Sequence, residues 1–201
     1  MTYCCHSSNA IIKQKSEVYE KWPMIENEDF LIRKPEVSDS NDLFKVYSDK
    51  NALPFFNSDN CHGDNFYYAT EEIMKSTMEY WFLEYDNGGF VRFAIVDKRT
   101  NEVIGTIELF LREAEDYFNQ CGLLRVDVRS DYEEEKQLNS ILKLITPSAY
   151  EWFQCKMIAT KAPIYAVERI KALETQGYKK SNEKLVGHDG TIYGDYWERA
   201  L

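Results

Sequence analysis

Leu124-Arg125-Val126-Asp127-Val128-Arg129 alternates without a break. Its apolar residues share one face of an extended strand, and its charged residues share the other. The period changes directly after it, in Ser130-Asp131-Tyr132-Glu133-Glu134-Glu135-Lys136-Gln137-Leu138-Asn139-Ser140-Ile141-Leu142-Lys143-Leu144-Ile145. Leu138, Ile141, Leu142 and Ile145 stand at helical spacing on one face, so a helix is expected over 132–145. A strand that runs straight into a long helix, with more strands on either side, points to one mixed sheet with helices on its faces.

The upstream sequence supplies those strands. The strand itself begins at Cys121. Phe90 to Val96 and Val103 to Phe110 are β-prone runs joined by a turn-like 97–101, which predicts an antiparallel hairpin. Thr70, followed by Glu71 and Glu72, opens a helix with the stripe Met74, Met78 and Trp81, flanked by Ile73, Thr77 and Tyr80 and ended by Asn87-Gly88-Gly89. Residues 51–68 show no period and read as a loop. Ser38 or Asp39 offers an N-cap to a helix carrying Leu43, Val46 and Tyr47. Phe30 to Lys34 is a strand stopped by Pro35. Residues 1–28 read as an extension, with a short helix expected over 11–22, and residues 29–201 as the folded domain.

Downstream, Pro147 is expected to end or kink the long helix. A strand follows at 156–160, then a helix over 165–175 with Ala166, Ile170 and Leu173 inward. Gly177 supplies a residue free to take positive φ, covered by Tyr178. Asp189-Gly190 joins two last strands as a hairpin turn. The expected fold is α+β with layers: a single mixed, mostly antiparallel sheet of about seven strands with helices on both faces.

Composition narrows the function. The chain has 201 residues, with 24 Lys and Arg against 34 Asp and Glu, a net charge of −10. Nucleic-acid binding needs a basic face, so it is excluded, as is an anionic membrane surface. No apolar run approaches about 18 residues, so no membrane span is expected. The N-terminus lacks a basic segment followed by an apolar one, so no secretory signal is expected. Five scattered cysteines, among them Cys4-Cys5-His6 and Cys61-His62, lack a second ligand pair at metal spacing. They fit free thiols in a reducing, cytoplasmic setting and no bound metal. At 9 glycines and 5 prolines the chain has few glycine-dependent loops.

The order of elements, with certain phrases, resembles the GNAT superfamily of acyl-CoA-dependent N-acyltransferases. The phrases are Phe30 to Lys34; Phe93-Ala94-Ile95-Val96-Asp97 leading through Thr100-Asn101-Glu102 to Val103-Ile104-Gly105-Thr106-Ile107; Val126-Asp127-Val128 running into Asp131-Tyr132; and Leu173-Glu174-Thr175-Gln176-Gly177-Tyr178. Within the superfamily it looks most like the branch that acetylates ribosomal-protein N-termini, aminoglycosides and other amines. The resemblance covers 29–201. It implies an acetyl-CoA-dependent N-acetyltransferase acting on a small-molecule or peptide amine, with a homodimer as one assembly. In the family the strand here at 124–129 splays from its parallel neighbour at 157–160, and acyl-CoA lies in the notch. Val126, Val128 and Arg129 would then meet the pantetheine, and Lys136, Leu138 and Asn139 the pyrophosphate end. Phe55, Phe56 and Tyr67, with Phe66 and Tyr68, lie where the family places its acceptor lid.

The residues depart from that pattern at the diphosphate. The family's Arg/Gln-x-x-Gly-x-Gly/Ala falls here on Glu133, Lys136 and Leu138, so the base has become an acid and both small residues are gone. An anion docks on helix N–H groups only where backbone can approach it. A carboxylate and a phosphate charge about 7 Å apart repel by roughly 1 kcal/mol at intermediate dielectric. Ser130-x-x-Glu133 reads instead as a capping box. The family's leaving-thiolate acids fall on Leu173 and Arg169 and its helix-opening Asn on Ala166, none of which can donate a proton at neutral pH. Three replacements offer themselves. Asp127 and Glu108 would serve as bases or as paired charges on the sheet face, Asp127 between Arg125 and Arg129. Tyr165 would serve as an acid or as a packing residue at the helix entry. These departures support an alternative: a catalytically silent GNAT-like domain acting as a binding or protein-interaction module.

Overall fold

A computed structural model describes residues 17–201. The expected helix over 11–22 is represented there by a single turn, Glu17–Tyr19; its beginning, and the Cys4-Cys5-His6 run, lie outside the described residues. The elements are β1 (Ile25–Glu26), β2 (Phe30–Arg33), α1 (Ser40–Tyr47), α2 (Glu71–Asn87), β3 (Val91–Asp97), β4 (Glu102–Arg112), β5 (Cys121–Val128), α3 (Glu135–Phe153), β6 (Met157–Lys161), α4 (Val167–Thr175), β7 (Lys179–Lys180), β8 (Leu185–Val186), β9 (Ile192–Tyr193) and β10 (Tyr196–Ala200). Eight strands form one sheet in the order β1-β2-β3-β4-β5-β6-β10-β7, and β8 pairs with β9 as a separate hairpin. Among the described strands, β5 and β6 are the one parallel pair. Two strands of the sheet were not expected, β1, which pairs with β2 at one edge, and β7, which pairs with β10 at the other, while the strand expected over 183–188 pairs only within the separate hairpin. The described part of the expected extension is thus built into the fold: Val18 is buried and Trp22 stacks on Tyr85.

Two layers of helices cover the sheet. Leu138, Ile141, Leu142 and Ile145 of α3 pack on the face formed by Phe93, Ile95, Ile107, Leu109, Leu124 and Val126. Leu43, Val46 and Tyr47 of α1, with Met74, Met78 and Trp81 of α2, cover Ala94, Val96 and Val103 on the other face. Thr70 caps α2 as expected, its Oγ1 accepting from the Ile73 N–H at 3.3 Å. Gly177 adopts φ +79° after α4, and Tyr178 closes over it, buried, with its hydroxyl 2.9 Å from that of Thr146.

Three local expectations are corrected. Pro147 neither ends α3 nor marks its limit; the helix runs on to Phe153. Pro147 lies on the exposed side, where the carbonyl that loses its partner is not forced into the core. Asp39 precedes α1 without capping it, since its carboxylate binds Arg33 (2.8 and 2.9 Å) and the Glu36 N–H. The Ser130/Glu133 box does not form: the Ser130 N–H goes to Asp49 and the Glu133 carboxylate to Arg169.

One irregularity in β4 arranges the site. Ile95 pairs with Gly105 but Val96 with Val103, so Ile104 is an extra residue. The bulge reverses the alternation, and Thr106 and Glu108 come onto the same face as Val103. A Cβ on Gly105 would stand 2.3 Å from the Asp127 carbonyl oxygen, so this close approach of β4 to β5 requires glycine.

Leu142 is 3% exposed in the α3 seam. Leu142→Ala is expected to cost about 2–5 kcal/mol, read as a lowered urea midpoint at unchanged slope.

Candidate functional site

The parallel pairing of β5 with β6 runs from Gly122↔Ile158 to Leu124↔Thr160 and goes no further. Beyond Leu124 the two strands part, and β5 turns its backbone toward a notch. Strand backbone left unpaired in a protein interior needs a partner. Here the partner is Arg169 of α4. Its Nη1 donates to the Val126 carbonyl at 2.8 Å, while Nε and Nη2 grip the two oxygens of Glu133 at 2.7 and 2.6 Å. Both side chains are buried, at 5% and 6% exposure. Burial disfavours the guanidinium charge, but Glu133 outweighs it and raises the Arg169 pKa. A planar, bidentate ion pair therefore lies at the notch, and its guanidinium takes the Val126 carbonyl.

At the entrance to α3 one backbone donor is also taken by a side chain. The Glu135 N–H donates to the Glu168 carboxylate at 3.3 Å, so an acid from α4 takes a donor of the helix N-terminus. Leu138 is buried in the core, and Asn139 accepts from Gln176 Nε2 at 2.6 Å. Lys136 is exposed. Val128 is buried beside Gly105, and Arg129 turns to Asp131 (2.7 and 3.0 Å). Of the six residues expected to hold the cofactor, Val126 and Val128 turn their backbone to the edge of β5 away from β4, where Arg169 takes the Val126 carbonyl, and Lys136 and Asn139 line an open pocket of about 640 Å³ at the start of α3 with Glu134, Glu135 and Glu168. Three carboxylates and one lysine thus stand where the diphosphate of acyl-CoA was expected.

The expected catalytic residues are also placed otherwise. Asp127 is 1% exposed on the α1–α2 side of β5. It pairs with neither Arg125 nor Arg129: it accepts from the Tyr47 hydroxyl at 3.0 Å and meets Arg92 Nη1 at 3.4 Å, and its Oδ1 has no hydrogen-bond partner. Burial pushes its carboxyl up, against the pull of Arg92 and the Tyr47 hydrogen bond. Glu108 lies between Arg92 Nη2 and Arg125 Nη1, the latter at 2.7 Å. Burial alone would raise its carboxyl, but the two arginines hold it below the usual range. Tyr165 is 58% exposed, its hydroxyl donating to the Pro54 carbonyl at 2.8 Å and its ring against Phe55.

The charges on this sheet face form one network. Arg92 faces Glu108 across β3 and β4, and Glu108 and Thr106 face Arg125 and Asp127 across β4 and β5. Tyr47 joins Arg92, Thr106 and Asp127 from α1. Above Arg92, Glu108 and Arg125 opens a cavity of about 880 Å³, walled by α2 and the 60–68 segment and reached by His188 of the last hairpin. Phe66 and Tyr68 line it. Phe55, Phe56 and Tyr67 do not: Phe56 packs on Tyr47, Phe55 on Tyr165, and Tyr67 lies beneath Lys50. Among the described residues no group of His, Cys, Asp and Glu could hold a metal, and no helix is long and apolar enough to cross a membrane.

Sequence reasoning missed Arg92, Tyr47 and the Arg169–Glu133 pair. A signal existed for Arg169, which interrupts the apolar stripe Ala166, Ile170 and Leu173 just where Glu133 reverses the expected charge.

The chain has the fold of the GNAT acetyltransferases. Its structure is similar to a GNAT-family acetyltransferase from Bacillus anthracis, with a TM-score of 0.64 at 13% identity over 89% of this chain and 98% of that one. It is similar to Mycobacterium smegmatis RimJ in complex with CoA-disulfide, with a TM-score of 0.68 at 14% identity over 90% and 88%. It is also similar to the microcin C7 self-immunity acetyltransferase MccE in complex with acetyl-CoA and AMP, with a TM-score of 0.62 at 10% identity over 87% and 94%. No protein-family model and no curated protein matches the sequence. The likeness is one of fold, and the chemistry rests on this chain's own side chains.

Two outcomes test this site. Glu133→Gln leaves a buried guanidinium unpaired and is expected to cost about 3–5 kcal/mol, whereas Glu133→Leu combined with Arg169→Leu should cost less than either single change. Urea midpoints of Glu133→Gln, of each single Leu variant and of the double Leu variant decide it. Asp127 binds its proton more tightly folded than unfolded, so its contribution is most favourable below the ordinary carboxylate pKa and declines as pH rises through the raised folded value. Asp127→Asn is therefore expected to gain stability relative to the parent as pH rises above the ordinary carboxylate value of about 4, and parallel curves would contradict the assignment.

Proposed function

We propose that this chain works as a ligand-binding domain on a GNAT fold, with its donor groove shut by its own side chains. The observation that carries this reading is Arg169, which bridges the Val126 carbonyl and Glu133 inside the notch. Admitting a pantetheine to this carbonyl means displacing the Arg169 Nη1 donor, and a buried donor left without an acceptor costs about 1–3 kcal/mol. Three further features support it: the carboxylate on the α3 N-terminus, the missing glycines, and the absence of a proton donor facing the notch among the residues singled out for that role. The acceptor side, by contrast, keeps a cavity large enough for a small molecule.

A second reading is favoured by one observation, the parting of β5 from β6 beyond Leu124. On that reading the protein is an acetyl-CoA-dependent N-acetyltransferase of an amine, with Arg169 released from Val126 before the donor enters.

Thermal melting separates the two. A ligand at 100 times its Kd stabilises by about 2.7 kcal/mol. Acetyl-CoA at roughly 1 mM, the top of the usual range for enzyme substrates, is expected to leave the melting temperature unchanged. A clear upward shift, with acetyl transfer to an amine, would select the second reading.

A further inference from the structure

The cavity on the α1–α2 side has opposite charge at its two ends. Its floor carries two arginines, Arg92 and Arg125, with one carboxylate, Glu108, between them. The Arg92 guanidinium lies 4.5 Å from the centroid of the Trp81 ring, and that of Arg125 lies 5.8 Å from the centroid of Phe110. Both arginines are more than nine-tenths buried. Glu108, shared between them, satisfies one N–H of each, and Arg125 Nη2 donates to the Asp59 carbonyl at 2.7 Å. Arg92 Nη1 is shared among Tyr47, Thr106 and Asp127, and the Nε of Arg92 and the Nε of Arg125, both buried, are left with no acceptor. A buried donor without an acceptor costs about 1–3 kcal/mol. Delocalisation keeps each guanidinium flat, and a flat fork of N–H groups is suited to a planar anion such as a carboxylate.

The mouth carries the other sign. Glu72 and Glu84 of α2 line it, Glu72 exposed and Glu84 half-buried, and no lysine is among the described lining residues. Tyr80, between them on the same helix, and Phe90 wall the space from mouth to floor with rings in edge contact. An anion alone would meet the acidic mouth, and a cation alone would meet the arginine floor.

We propose that this cavity binds a small zwitterion, with a carboxylate on Arg92 and Arg125, an apolar or aromatic body along Tyr80 and Phe90, and an ammonium between Glu72 and Glu84. The proposal deepens the reading of the cavity as the ligand site and rests on it. In this orientation the ammonium points away from the β5 notch, opposite to what acetyl transfer from the notch would need.

Three probes on one ring test it: para-aminomethylbenzoate, para-methylbenzoate and para-methylbenzylamine. Binding is followed through the Trp81 indole N–H resonance of the full chain. The zwitterion is expected to bind about tenfold more tightly than either singly charged probe. Glu72→Gln with Glu84→Gln, both on the outer part of α2, should erase its advantage over the acid. Arg125→Gln should erase its advantage over the amine, and the outer pair of substitutions keeps the test decisive if that buried change unfolds the protein. An amine that binds as tightly as the zwitterion overturns the ligand class, while leaving the cavity as the binding site. No binding of the zwitterion at roughly 10 mM also overturns it. CoA enters none of these titrations, so the closed groove is judged separately, by melting with acetyl-CoA.

Discussion

The Arg169 guanidinium is the contact on which this account depends. A sheet in which β5 and β6 diverge leaves strand backbone facing an interior gap. Relatives in fold include complexes with CoA or acetyl-CoA. In this chain a side chain from α4 reaches the gap and ties three elements together: the β5 carbonyl at Val126, the turn before α3 through Glu133, and α4 itself. The pair is buried, so its two charges are tolerable only together. Closure of the notch and docking of α4 on α3 are thereby coupled, and loosening one loosens the other.

The opposite side of the sheet follows a different rule. A charged strand face is ordinarily read as the wet side of a sheet. Here α1, α2 and the segment between them cover it, and Arg92, Glu108, Arg125 and Asp127 must satisfy one another. The bulge at Ile104 makes that possible by bringing Thr106 and Glu108 onto the face that carries Arg92. The same network separates the two ends of the molecule's chemistry, with the ion-paired notch beyond Asp127 and the cavity above Arg125.

Much of the fold was legible in the sequence because it is written in local periods. The alternation over 121–129, the stripe from Leu138 to Ile145, and the turns at Gly177 and Asp189-Gly190 each specify their element without distant partners. The site was less legible because its decisive contacts are not local. Glu133 and Arg169 are far apart in sequence, and Val126 contributes a carbonyl that no side-chain pattern reveals. Asp127 looked like a member of an alternating charged face, and only the covering helices make it a buried acid. The aromatics at 55–68 were recognised as a group, but a loop has no period to say which ring faces inward. Phe66 and Tyr68 line the cavity, whereas Phe55, Phe56 and Tyr67 pack elsewhere.

The Arg169 side chain can be watched directly. Its Nε–H, bonded to a buried carboxylate, should give a slowly exchanging resonance in a proton–nitrogen correlation spectrum, assigned by its loss in Arg169→Lys. The account predicts that this signal keeps its position and its slow exchange when acetyl-CoA is added in large excess. A signal that moves or vanishes on addition of acetyl-CoA, with matching changes at the Val126 and Asp127 amides, would show the donor entering the notch and would contradict the closed groove.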